Sequence, residues 1–154
     1  MTNKIIYALT ALPLVLSAAI WVKLNAAPAP VPHHDGKTYH VVFEMTEPEP
    51  EKWAGTIKNV DHLIKALGAE NVDVEVVMHG PGIAAVTKDR DAKLASEFER
   101  LRKEGVFLAA CNNSLEGKHI PRSNVQASFT VVPSGVAEVV KKQHAGWQYL
   151  KAAW

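Results

Sequence analysis

From Tyr39 onward the chain alternates short apolar runs with segments whose apolar residues recur every three or four positions, and this alternation limits the fold more than any other feature. Tyr39 to Met45 is nearly all apolar or β-branched, as expected of a strand covered on both faces, and Glu47-Pro48-Glu49-Pro50 ends it. Glu51 to Leu67 places Trp53, Ile57, Val60, Ile64 and Leu67 on one side, with Lys52, Lys58, Asp61 and Lys65 opposite and Gly68 as a left-handed stop. That is an amphipathic helix. Val72 to Met78 reads as a second strand, followed by a Gly-Pro-Gly loop and a segment of ambiguous type around Ile83 to Val86. Asp91 can cap a helix with Leu94, Phe98 and Leu101 inward, ended by Gly105. Val106 to Ala110 is a third strand, Asn113 to Glu116 a short helix before Gly117, and Ser128 to Val132 a fourth strand. Ser134 then caps a last helix with Val136, Val139, Val140, Trp147 and Leu150 on its apolar face, kinked or interrupted at Gly146. Strands and helices in this order imply right-handed crossovers. The expected class is α/β, a three-layer α/β/α sandwich on a mainly parallel sheet of four to five strands.

The region before Tyr39 has a different character. Lys4 precedes an uncharged run from Ile5 to Val22, followed by Lys23 and small residues up to Ala27, the order of an export signal. Residues 1–27 are therefore expected to be a signal peptide, or else an uncleaved N-terminal anchor, since the run approaches the roughly 18–20 residues that span a bilayer. Pro13, Thr10 and Ser17 favour the signal. Either way the domain faces an exported compartment, the periplasm, with membrane contact only if the segment stays uncleaved. Residues 28–37, with alternating prolines, read as an extended tether, and 38–154 as the domain. With 154 residues, 47% hydrophobic, the chain can build one sizeable core. A net charge of +1 supplies no basic bulk for a polyanion, which argues against nucleic acid as a partner.

In open α/β sheets, ligands and chemistry collect at the carboxyl ends of the strands. The second strand delivers His79-Gly80-Pro81-Gly82 there, and the third delivers Cys111-Asn112-Asn113-Ser114. The single cysteine thus falls on the functional edge. If a helix begins at Asn112 or Asn113, the sulfur meets unpaired backbone N–H groups that favour thiolate over thiol, and Lys118, His119 and Arg122 add positive charge if their loop folds back. Such a thiolate can attack a sulfur donor and hold the product as a persulfide, with no metal or other cofactor. The bland alternative is a small hydrophobe packed at a strand end.

The order Val74-Glu75-Val76-Val77-Met78-His79-Gly80-Pro81-Gly82, Gly105-Val106, Ala110-Cys111-Asn112-Asn113-Ser114, Val131-Val132-Pro133-Ser134-Gly135-Val136-Ala137-Glu138 and Gln143-His144-Ala145-Gly146-Trp147-Gln148-Tyr149 resembles the DsrE/DsrF-like sulfur-relay family. The likeness covers roughly residues 38 to 151 and rests on the order and spacing of these pieces. It implies a small α/β domain that assembles as a trimer or hexamer, with Cys111 as the sulfur-carrying residue. The better understood relay members are cytoplasmic, so an exported chain does not inherit their donor or acceptor.

Other residues carry weaker expectations. His79 can serve Cys111 as base or charge partner, and the Gly80 and Gly82 amides can hold an anion, yet a plain loop histidine fits as well. Asn112, Asn113 and Ser114 are expected to shape the N–H pocket by capping, with Asn112 and Ser114 as the capping side chains. His33, His34, Asp35 and His40 form a metal-like patch, but the first three lie in the tether, and no metal site is expected. His119 and His144 default to the surface. Trp147, Tyr149 and Trp154 belong to the core or to a subunit interface. Neither Gly-x-Gly-x-x-Gly nor Gly-Lys-Ser/Thr is present, which disfavours nucleotide binding. Three functions follow: an exported persulfide carrier or sulfurtransferase acting through Cys111, a non-catalytic oligomeric module binding a small anion or metal at the His79/Cys111 crevice, or a structural protein with an inert thiol.

Overall fold

The computed structural model describes residue 36 and residues 39–89 and 91–152. The signal or anchor, nearly all of the tether, Arg90 and Trp154 lie outside the described residues. Five parallel strands form one sheet: β1 (Tyr39–Met45), β2 (Val72–Met78), β3 (Phe107–Cys111), β4 (Thr130–Val132) and β5 (Gln148–Lys151), in the order β4-β3-β2-β1-β5. The helices are α1 (Pro50–Leu67), α2 (Ala92–Lys103), α3 (Asn112–Gly117) and α4 (Gly135–His144). The ambiguous segment is a 3-10 helix over Gly80–Val86. Among the described residues no helix is long and apolar enough to cross a membrane.

Alternation along the strands divides the core in two. Val41, Phe43, Met45, Val74, Val76, Met78, Leu108 and Ala110 pack with Trp53, Ile57 and Val60 of α1, Leu94, Phe98 and Leu101 of α2, and Leu115 of α3. Val42, Val77, Ala109 and Val132 point the other way, onto Val139 of α4 and Trp147. Helices thus lie on both faces of the sheet, and the α/β class and three-layer arrangement hold.

The last helix departs from expectation. It stops at His144; Gly146 adopts φ 89°, and the chain turns into β5, which pairs with β1 as Val41↔Gln148 through Glu44↔Lys151. Trp147 and Leu150 are therefore not on a helical face. The former packs on the second core, with the Lys142 ammonium 4.2 Å from its ring centroid, and the latter is an exposed residue of an edge strand. Gly146 acts as a helix terminator of the left-handed kind instead of a kink, which removes the penalty that any side chain would meet there.

The carboxyl edge is stitched by backbone contacts. His79 N–H donates to Met45 O at 3.1 Å and Gly82 N–H to Thr46 O at 2.8 Å, which pull the 3-10 segment onto the end of β1. A Cβ on Gly82 would stand 2.7 Å from Met45 O and 3.0 Å from the Thr46 backbone, so only glycine fits. Gly82→Ala is expected to cost about 1–3 kcal/mol through overpacking against atoms that cannot move aside, measurable by denaturant titration.

Candidate functional site

Strands β1 to β3 send their following segments to one face of the sheet, whereas β4 sends α4 to the other. Adjacent strands β3 and β4 therefore have diverging exits, the condition that opens a crevice in α/β folds. Cys111 pairs in register with Val132 at this point, and α4 begins three residues further on at Gly135.

Cys111 is the N-cap of α3, with extended backbone (φ −72°, ψ 117°). A residue there turns its side chain back over the first free amides of the helix, a place usually taken by oxygen. Here the residue is a cysteine, and its sulfur stands near those amides without a cap hydrogen bond of its own. The amides of Asn113, Ser114 and Gly135 and the Ser114 hydroxyl stand around the sulfur and favour its charged form, although Cys111 makes no side-chain cap hydrogen bond of full geometry. That hydroxyl also accepts the Gly80 N–H at 2.8 Å, which occupies a lone pair and leaves its proton for the sulfur. Burial pushes the Cys111 thiol up, since only 4% of the residue is exposed, but these four donors more than offset it and hold the thiol below its ordinary value.

The capping assignments change accordingly. Asn112 Nδ2 donates to Glu116 Oε1 and its Oδ1 accepts from Arg122 Nε, both at 2.7 Å, so this side chain braces the outer surface of α3 instead of capping it. Asn113 serves through its backbone and Ser114 through its hydroxyl and amide. Arg122 is spent on Asn112, and Lys118 and His119 are exposed. The amides of Gly80 and Gly82 are bonded to Ser114 Oγ and Thr46 O, so the Gly-Pro-Gly turn is scaffold.

His79 lies beside Cys111. The last register pair between their strands is Met78↔Ala110, so the next residues sit on neighbouring strands at a spacing of about 4.8 Å. Both abut Gly135: a Cβ built there would stand 2.8 Å from His79 Cβ and 3.1 Å from Cys111 Cβ. The His79 ring faces β1, with Nε2 2.7 Å from Glu44 Oε1. Glu44 in turn accepts from the Tyr149 hydroxyl. Sequence reasoning singled out neither Glu44 nor Gly135 and gave Tyr149 only to the core or a subunit interface; the signal for Glu44 was an acid inside an otherwise apolar strand. Among the described residues no group of three His, Cys, Asp or Glu side chains is placed to hold a metal; His40 Nδ1 lies 3.1 Å from Asp73 Oδ2.

The family model for the DsrE/DsrF-like family matches residues 56–152, most of the described sequence. The chain belongs to the DsrE/DsrF-like family. Membership implies a sulfur-relay-type role in general terms. Among solved structures, the chain resembles MTH1491, a protein of unknown function from Methanobacterium thermoautotrophicum, at 29% identity and a TM-score of 0.69, over 73% of this chain and 98% of that one. It shares its fold with the ychN protein from E. coli, at 12% identity and a TM-score of 0.60, over 75% and 98% of the two chains. The same holds for BT1422 from Bacteroides thetaiotaomicron, at 13% and 0.58, over 77% and 99%. No curated protein matches the chain.

The donors around the sulfur make a direct prediction. The pH profile of Cys111 alkylation should have its midpoint below the value of about 8.5 for an unperturbed thiol, and Ser114→Ala should move that midpoint upward by removing one donor.

Proposed function

We propose that this family member is an exported persulfide carrier or sulfurtransferase in which Cys111 accepts the sulfur. The observation that carries the reading is the cysteine at an N-cap, where the Ser114 hydroxyl and the Asn113, Ser114 and Gly135 amides favour the thiolate over the thiol despite burial. In the transfer, the Cys111 thiolate attacks the outer sulfur of a persulfide R–S–SH; the donor S–S bond breaks, a Cys111–S–SH bond forms, and the thiolate R–S⁻ leaves. The donors that favour thiolate also serve a terminal sulfur anion of the product, so one pocket suits both states. The physiological donor and acceptor are thiols or proteins beyond this chain, and the step needs no cofactor.

One observation favours a second reading. Cys111 is only 4% exposed, as an inert packing thiol would be. The two separate on intact mass of the full-length chain after exposure to polysulfide: the carrier reading expects a gain of one sulfur atom, removed by reductant and absent in Cys111→Ser. No adduct in the folded protein, with alkylation only on unfolding, overturns it.

The carrier reading extends to a homo-oligomer, a trimer or hexamer. The outer side of α4 exposes Val136 at 59% and Val140 at 58%, and β3 exposes Phe107 at 43%, on the side of the sheet that carries α4. Apolar side chains grouped in this way are suited to burial between subunits. Val136→Glu combined with Val140→Glu should shift the particle to monomer by light scattering, while a wild-type chain that is already monomeric removes the proposal.

A further inference from the structure

The carboxylate of Glu44 carries two proton donors, His79 through Nε2 at 2.7 Å and the Tyr149 hydroxyl. Lys151 stands opposite Glu44 in the β1–β5 register and reaches Thr46 Oγ1 at 3.2 Å and Glu47 Oε1 at 3.3 Å. The sulfur transfer described above uses none of these groups. Burial pushes the Glu44 carboxyl up, but the bonds from Tyr149 and His79, with positive charge at His79 and Lys151, more than offset it and leave the group below the usual carboxylate range.

An ionised carboxylate can only accept, so the His79 nitrogen facing it carries a proton. Tyr149 keeps its own proton at neutral pH, because the bond to Glu44 pushes its phenol up to about 12. Both carboxylate oxygens are thus occupied by donors. A neutral His79 is left with one tautomer, Nε2–H toward Glu44 and a bare lone pair on Nδ1. The other charged groups near this face pair among themselves, Lys142 with Glu75 at 2.7 Å and Lys141 with Glu138 at 3.9 Å.

We propose that Glu44, steadied by Tyr149 and Lys151, is a positioning residue for the Cys111 site: it fixes the tautomer and direction of His79, so that Nδ1 is the nitrogen that returns a proton to the departing thiolate when sulfur is loaded. The proposal rests on the sulfur-carrier reading and deepens it. The step balances without an oxidant. The bare Nδ1 takes the proton that the Cys111 thiol sheds on ionising; that thiolate and imidazolium, with R–S–SH, then give Cys111–S–SH, R–SH and neutral His79, so that one S–S bond breaks, one forms, and the proton passes from Cys111 through Nδ1 to the leaving sulfur. An ionised partner that orients a histidine in this way is a recurrent device wherever imidazole handles protons.

Two measurements on the full-length chain test it. Imidazole ¹⁵N shifts at neutral pH, with His79 assigned by comparison with His79→Gln, should show the Nε2–H tautomer in the wild type and a mixture in Glu44→Gln. The rate of sulfur uptake from a glutathione persulfide donor should fall about 10- to 100-fold in Glu44→Gln, while Cys111 alkylation by iodoacetamide, whose departing iodide needs no proton, falls far less. A role confined to structure would depress both rates together. Tyr149→Phe keeps the carboxylate and guards against a Glu44 variant that does not fold; it should retain the tautomer and lose uptake by a smaller factor. A wild-type His79 protonated on Nδ1, or undiminished uptake in Glu44→Gln, overturns the proposal. A wild type that takes up no sulfur defeats the carrier reading instead, and the tautomer then decides the positioning claim alone.

Discussion

The handedness of strand-helix-strand crossovers governs this architecture. Moving from β1 through β2 and β3 to β4, the chain advances in one direction across the sheet with its connecting segments on one face. To place β5 beside β1, it must return across the whole sheet, and a right-handed return lies on the opposite face. That reversal happens immediately after β4. It brings the first residue of α4 against the end of β3, and Gly135 can occupy the gap because it has no side chain to push against His79 and Cys111. The meeting of Cys111, His79 and Gly135 is thus a consequence of chain direction, and its chemistry is set by which residues end the two strands.

The chemistry of the sulfur follows from a substitution of element for element. Helix caps ordinarily present oxygen to free amides, and a larger, softer and more easily ionised atom in that place turns a stabilising contact into a reactive one. Two tendencies oppose each other. Enclosure penalises negative charge, whereas four donors from α3 and α4 reward it, and the donors prevail. Because two of those amides belong to α3 and one to α4, the balance depends on both helices keeping their places. The buried contact between Glu75 and Lys142 helps hold α4 against the sheet, although burial pushes the Glu75 carboxyl up and Lys142 offsets this only in part.

Much of this was legible in the amino-acid order. The apolar runs of β1, β2 and β3 and the periodicity of α1 and α2 announce themselves because burial on both faces, or on one stripe, leaves few alternatives. The Asp91 and Ser134 caps are where their chemistry suggests, accepting from the Lys93 and Ala137 amides. The placement of Cys111 at a strand-to-helix turn followed from the same pattern. What stayed hidden depended on contacts distant in sequence. Every residue of Gln148 to Lys151 is exposed on this edge strand, so it lacks the apolar signature of its four companions and continues the helical spacing of α4 by coincidence. With β5 read as helix, Tyr149 had no reason to meet Glu44, and the orientation of His79 toward β1 had no visible cause. The capping role of Asn112 failed for a related reason: its partner Arg122 lies ten residues away and competes for the side chain.

The position of β5 carries a consequence for motion. Edge strands fray more readily than central ones, and this strand has only one neighbour. Since Tyr149 and Lys151 ride on it, lifting the strand would unlatch Glu44 and let the imidazole beside the sulfur rotate. The one strand that β5 pairs with thus decides how firmly the phenol is held against the carboxylate that faces the imidazole.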